Sequence, residues 1–344
     1  MRSLFFEGIN QLGWRDIQRP RIQADHEVIV ETIAATACMV DTNIMRGLTP
    51  FQPPFAIGHN AVGRVVDMGD SVTGLEIGDV VAIPYHRNCG KCTKCAADNP
   101  LFCEEEDNPW PLLPAYGFPD AHGFGGMYSE AFRVPFASHA LVKIPKTVDP
   151  LAAIAAGDAL TDAWQTTVPH IRKKPDARVL ITSCAGYGHY AAQWALAAGA
   201  AEVVYVDDDP DRLATAKKIG ATPLEWSDDL EVEPVYDVIV NERSGPESLR
   251  FSLLAAARDA VVENVVIYLE DVQLPLFRMH FSGVSLRSTF APTRLDMPEV
   301  IGELEAGTIN PREVESAILT LDEAPEYLTG PSRRPIVLFD ESLR

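Results

Sequence analysis

Two hydrophobic rhythms divide this chain. Between Glu27 and Val81, short β-branched runs at residues 28–31, 61–66 and 79–83 alternate with glycine turns, a pattern that predicts an antiparallel β region. After Asp149, strand-like runs at 179–182 and 203–207 alternate with helix-like runs at 187–198 and 210–219. That βαβα series predicts a parallel sheet with crossover helices. Further strand candidates at 236–240, 261–269 and 284–288 surround a helical stretch at 246–259. The expected fold class is α/β, a doubly wound parallel sheet joined to a mainly β domain. We expect the first domain over residues 1–155, a nucleotide-binding domain over 156–290, and a tail, 291–344, returning to the first.

Composition narrows the partners. A chain of 344 residues, 47% hydrophobic and without low-complexity segments, can bury the cores of two domains. Its formal net charge of −20 repels nucleic acid and anionic membrane surfaces, and no basic patch exceeds the pairs Lys173-Lys174, Lys217-Lys218 and Arg333-Arg334. No apolar stretch reaches the roughly eighteen residues of a membrane span, and Met1 to Trp14 lacks a signal-peptide core, so a cytoplasmic protein is expected.

Four of the six cysteines crowd into fifteen residues, as metal ligands do in a reducing compartment. Cys89, Cys92, Cys95 and Cys103 form C-x2-C-x2-C-x7-C in a loop-like lobe at about residues 86–108. Four thiolates hold zinc tetrahedrally and leave no position open for substrate, so this cluster reads as structural. An iron–sulphur cluster competes on the first three cysteines, but the fourth is displaced and no proline follows it.

The order Cys38-Met39-Val40-Asp41, Gly58-His59-Asn60, the cysteine lobe, Asp158 and a βαβ nucleotide unit resembles the zinc-containing medium-chain alcohol dehydrogenases over essentially the whole chain. The resemblance implies a Rossmann domain beside a GroES-like catalytic domain, two zinc ions per chain, a nicotinamide cofactor, and an alcohol, aldehyde or ketone as substrate. It further implies that Cys38, His59 and Asp158 hold a catalytic zinc with its fourth position open, and that Asp41 orients His59 through its other ring nitrogen. Taken singly, Cys38 reads as a small buried hydrophobe, His59 as a structural histidine and Asp158 as a helix cap. Relatives of this kind are dimers or tetramers.

The turn Ser183-Cys184-Ala185-Gly186-Tyr187-Gly188 stands where a strand meets a helix, the place for a pyrophosphate. Family register puts Ser183, Ala185 and Gly188 at the three glycine positions, so two are replaced; the shifted match Gly186-x-Gly188-x-x-Ala191 starts too far into the helix. The methyl of Ala185 is expected to crowd the pyrophosphate. Asp207, nineteen residues after Gly188, is expected to accept the adenosine ribose hydroxyls and to repel the extra phosphate of NADP, making NAD the cofactor. Gly186, Tyr187 and Arg212 complete the cofactor-binding candidates, while Asp209, before Pro210, is assigned to helix capping.

Three departures stand out. Val40 and Asn43 replace the residues that start and continue the family's proton relay, which leaves Thr42, a water or a cofactor hydroxyl as carriers. Asn60 replaces a glutamate beside the ligand histidine, so the metal is expected to be more electrophilic. These changes keep two alternatives open: a polyol or sugar dehydrogenase of the same family, and a zinc- and nucleotide-binding protein altered in catalysis. Phe51, Pro53, Pro54, Phe55 and Trp110 lean towards an apolar substrate, and read equally as core filling.

Overall fold

The computed structural model describes residues 1–105, 114–119, 123–330 and 334–343; Trp110 lies outside them. The chain forms two compact units. One comprises Met1–Thr161, Pro292–Gly307 and Glu315–Arg344, the other Asp162–Ala291 and Thr308–Val314.

The first unit is built on strand Val28–Thr36, nine residues of which eight are buried. A strand buried at successive positions must be covered on both faces. It pairs antiparallel with Ala61–Met68, Ala131–Val134 and the C-terminal strand Ile336–Leu338. Opposite Ala35 stands Ala61, and the Thr36 amide donates to the Asn60 carbonyl at 3.0 Å. This register carries Cys38, just past one strand, to His59, just before the next. A second antiparallel sheet sets Arg2–Gly8 between Gln11–Asp16 and Phe55–Ala56.

The second unit contains β1 (Arg178–Thr182), α1 (Tyr187–Ala197), β2 (Glu202–Asp207), α2 (Pro210–Lys218), β3 (Thr222–Glu225), β4 (Tyr236–Asn241), α3 (Pro246–Ala255), β5 (Ala256–Asn264) and β6 (Ser285–Ser288). All pairings are parallel, in the order β3-β2-β1-β4-β5-β6. That order reverses direction at β1, so β1 and β4 flank the switch point where doubly wound sheets bind ligands. Two expectations are corrected here. The helix expected over 246–259 ends at Ala255, and the strand expected over 261–269 is Ala256–Asn264. Three consecutive alanines carry no periodicity, and pairing of Ala256 with Tyr236 draws them into the sheet. Among the described residues no helix is long and apolar enough to cross a membrane.

Candidate metal centres and nucleotide turn

Cys38 is the N-cap of helix Met39–Met45, and its sulphur accepts from the Val40 amide at 3.2 Å. The carboxylate of Asp41 closes the cap, Oδ2 accepting the Cys38 amide at 2.9 Å. The other oxygen, Oδ1, lies 3.3 Å from His59 Nδ1. The opposite ring nitrogen, Nε2, stands 3.0 Å from Cys38 Sγ and 3.5 Å from Asp158 Oδ2. Asp158 directly precedes helix Ala159–Gln165, and Gly157 makes its placement possible: a Cβ there would meet the Ile83 carbonyl oxygen at 1.8 Å.

The Cys38 sulphur and the Asp158 carboxylate thus both face Nε2 of the His59 ring, while the Asp41 carboxylate stands behind it at Nδ1. Donor atoms of Cys38, Asp41 and His59 all lie within 4.8 Å of one another. Asp41 is nevertheless turned to Nδ1 and the Cys38 amide, so an ion facing Nε2 would be held with Cys38 and Asp158. One thiol, one imidazole and one carboxylate make a donor set that fits zinc with a position left open. Asp158 keeps 19% of its side chain exposed whereas those of Asp41 and His59 are buried, so the open face is on the Asp158 side.

Charge agrees with this geometry. Burial lowers the His59 pKa, but Asp41, Cys38 and Asp158 outweigh it and hold the ring well above the ordinary histidine range. Burial raises the Cys38 thiol, with Asp158 and Asp41 adding to it against the pull of His59. Asp158 is lowered: His59, Asn60 and Arg334 overcome its burial.

Around the site, Asn60 is fully buried and donates its amide to Asp158 Oδ2 at 2.8 Å. Val40 packs against the core, and the Thr42 hydroxyl reaches back to the Cys38 carbonyl at 3.5 Å. Asn43 is half-buried on the same helix, accepting the Leu48 amide through its carbonyl at 2.8 Å. Phe118 contacts both His59 and Phe51, with ring centroids 6.0 and 5.2 Å apart; no periodicity marked Phe118 in the sequence.

The sulphurs of Cys89, Cys92, Cys95 and Cys103 also lie within 4.8 Å of one another, with Cys89 and Cys95 at 4.0 Å. Zinc–sulphur bonds of about 2.3 Å place tetrahedral sulphurs about 3.8 Å apart, so the lobe fits zinc. Backbone amides of Cys89, Lys91, Cys92, Cys95 and Glu104 donate to these sulphurs at 3.3–3.4 Å. Donors from Cys95 and Glu104 lower the Cys92 thiol to about 6, whereas burial raises Cys95 to about 11 and Cys103 further still. Metal binding requires the thiolate form, so a bound zinc would couple its affinity to release of these protons. Gly90, at φ 74°, lets the loop turn under the His139 ring, which a Cβ would meet at 2.4 Å.

At the nucleotide turn, Gly186 caps α1 in the left-handed region, and Ser183, Ala185, Tyr187 and Gly188 are buried around it. The expected ribose acceptor does not fit its role. Asp207 is 0% exposed, and its carboxylate receives Arg212 Nε at 2.8 Å and Nη2 at 2.7 Å, the Asp208 and Asp209 amides at 2.8 and 3.0 Å, and the Tyr205 hydroxyl at 3.1 Å. Arg212 is likewise committed to this pair. Asp209 caps α2, accepting from the Asp211 and Arg212 amides. Glu242, which sequence reasoning missed, follows β4 and enters the turn: it accepts from the Tyr187 and Gly188 amides at 3.0 Å each and from the Ser183 hydroxyl.

Comparison with known proteins agrees with this geometry. The alcohol dehydrogenase GroES-like domain matches residues 24–146 and the zinc-binding dehydrogenase domain residues 186–306. A zinc-type alcohol dehydrogenase-like protein, AdhB of Bacillus subtilis, is 27% identical over 94% of each chain. The glutathione-independent formaldehyde dehydrogenase of Pseudomonas aeruginosa strain PAO1 is 30% identical over 72% of this chain and 63% of its own. An alcohol dehydrogenase structure from Thermus sp. ATN1 superposes with a TM-score of 0.87 at 25% identity, covering 98% of this chain and 99% of its own. The chain belongs to the zinc-containing medium-chain alcohol dehydrogenases, an oxidoreductase family.

Proposed function

We propose that this protein oxidises an alcohol, or reduces the matching aldehyde or ketone, with NAD, using Cys38, His59 and Asp158 as the ligands of a catalytic zinc. The observation that carries the reading is the convergence of these three side chains, with Asp41 behind His59. When bound, zinc supplies Lewis acidity towards the substrate oxygen, and the nicotinamide supplies a hydride acceptor. The chain's own residues do the positioning. Asp41 holds the imidazole so that Nε2 faces the metal, Asn60 holds the Asp158 carboxylate, and Cys38 contributes a thiolate anchored on the end of its helix. With Val40 turned into the core, Thr42 or water carries the substrate proton. Cys89, Cys92, Cys95 and Cys103 hold the second, structural zinc.

Asp207, Asp208 and Asp209 outnumber the two arginines paired with them, Arg212 and Arg243, and this net negative charge favours NAD over its phosphorylated form. Phe118 beside His59, with Phe51 packed against it, favours an apolar alcohol over a polyol. Free thiols suit the cytoplasm. Exposed Leu276, Phe277 and Phe281 precede the sheet-edge strand β6, which supports a homo-oligomer. Initial rates of NAD reduction with primary, secondary and polyhydroxylated alcohols test the reading. Turnover of apolar alcohols is expected; turnover of polyols alone would overturn the substrate class, and no turnover with either NAD or NADP the enzymatic role.

A further inference from the structure

A dinucleotide-binding turn works because the first amides of the helix that follows are unsatisfied within the helix and lie at the positive end of its dipole. In this chain two of those amides are already taken. Tyr187 N and Gly188 N, at the start of the eleven-residue helix α1, each donate to the carboxylate of Glu242 at 3.0 Å. The carboxylate is held in place by a hydrogen bond from the hydroxyl of Ser183, at one of the replaced glycine positions. The Tyr205 hydroxyl stands within hydrogen-bond reach of both Ser183 Oγ, at 2.8 Å, and Asp207 Oδ2, at 3.1 Å, with one proton to give to either. Glu242 is 1% exposed, so neither water nor salt shields its charge.

We propose that Glu242 is an internal surrogate for a phosphate, competing with the diphosphate of NAD for the start of α1 and holding cofactor affinity low. The proposal rests on the NAD-binding reading above. The arrangement sets two negative groups against one pair of donors. Charge-assisted bonds of this kind are the strong ones, so a bound diphosphate must either displace the Glu242 carboxylate or forgo both amides. Glu242→Gln removes the charge and keeps the shape. Ser183→Gly removes the hydroxyl that holds the carboxylate and restores the residue usual at that position.

The test measures dissociation constants of NADH, ADP-ribose and adenosine for wild type, Glu242→Gln and Ser183→Gly, by calorimetry on zinc-loaded protein, with melting temperatures alongside. Glu242→Gln is expected to tighten NADH and ADP-ribose about tenfold and to leave adenosine unchanged, because the gain belongs to the diphosphate. Ser183→Gly is expected to give a smaller gain of the same pattern, and decides the matter alone should Glu242→Gln fail to fold. Unchanged or weaker NADH binding in the variants overturns the proposal and leaves Glu242 as a brace of the turn; equal gains for adenosine overturn it also. If no protein binds NADH at all, the nucleotide reading itself fails and takes this proposal with it.

Discussion

The side-chain amide of Asn60 donates to Oδ2 of Asp158 across 2.8 Å, joining two positions 98 residues apart. Asn60 therefore does more than omit a carboxylate. It offsets part of the charge on the oxygen proposed to face zinc, and both effects would leave a bound metal more electrophilic. In Asn60→Glu a second carboxylate would face Asp158. The limb of the pH–rate profile for alcohol oxidation should then move upward by about one pH unit. A limb that stays in place would show that Asn60 does not tune the metal.

Arg212 and Asp207 form a bidentate pair in which Asp207 is wholly buried and Arg212 is 18% exposed at its side chain. Removing one partner strands a buried charge. Arg212→Ala should cost about 3 kcal/mol of stability, read from denaturant unfolding. A loss below about 1 kcal/mol would mean that water reaches Asp207, and would return it to the ribose-binding role.

His86 is buried, with Nδ1 3.2 Å from Asn88 Nδ2 and Nε2 without a hydrogen-bond partner among the described residues. Burial, with His139 and Arg294 adding to it against Asp158, lowers its pKa to about 3. Because the folded value lies below the unfolded one, the unfolded chain binds the extra proton between about pH 6.5 and 3, and stability falls as pH drops through that window. The contribution is about 1.4 kcal/mol per pH unit within the window. His86→Gln should flatten the stability–pH curve by that slope between pH 6 and 4; parallel curves for the two proteins would contradict this.

The methyl of Ala185 sits in the buried nucleotide turn, 3% exposed. Ala185→Gly should bind NADH several-fold more tightly by relieving the crowding there. Tighter binding by wild type would refute the crowding argument.

How far this site could be read in the sequence depends on the reach of each interaction. The cysteine lobe was legible because all four cysteines fall in fifteen residues, and the fold brings their sulphurs within 4.8 Å of one another. Cys38 and His59 were legible through family order, and the Ala35–Ala61 register explains how they meet. Asp207 was legible as an acid at the end of a strand, but no sequence pattern discloses that Arg212 saturates it. Glu242 was invisible for the same reason: it lies 55 residues from Tyr187, and only the parallel pairing of β4 with β1 carries it to the turn. The ends of α3 and β5 were misplaced because consecutive alanines suit either element, and pairing in the sheet decides between them.

The central claim is that two separate clusters hold two zinc ions, one closed and one open for chemistry. Zinc per chain, measured by elemental analysis on protein purified without added metal, tests it most directly. Wild type should carry two, and Cys38→Ser should carry one while keeping the lobe folded and losing turnover. A wild-type protein with a single zinc, or a Cys38→Ser variant that keeps two, would contradict the assignment of Cys38, His59 and Asp158.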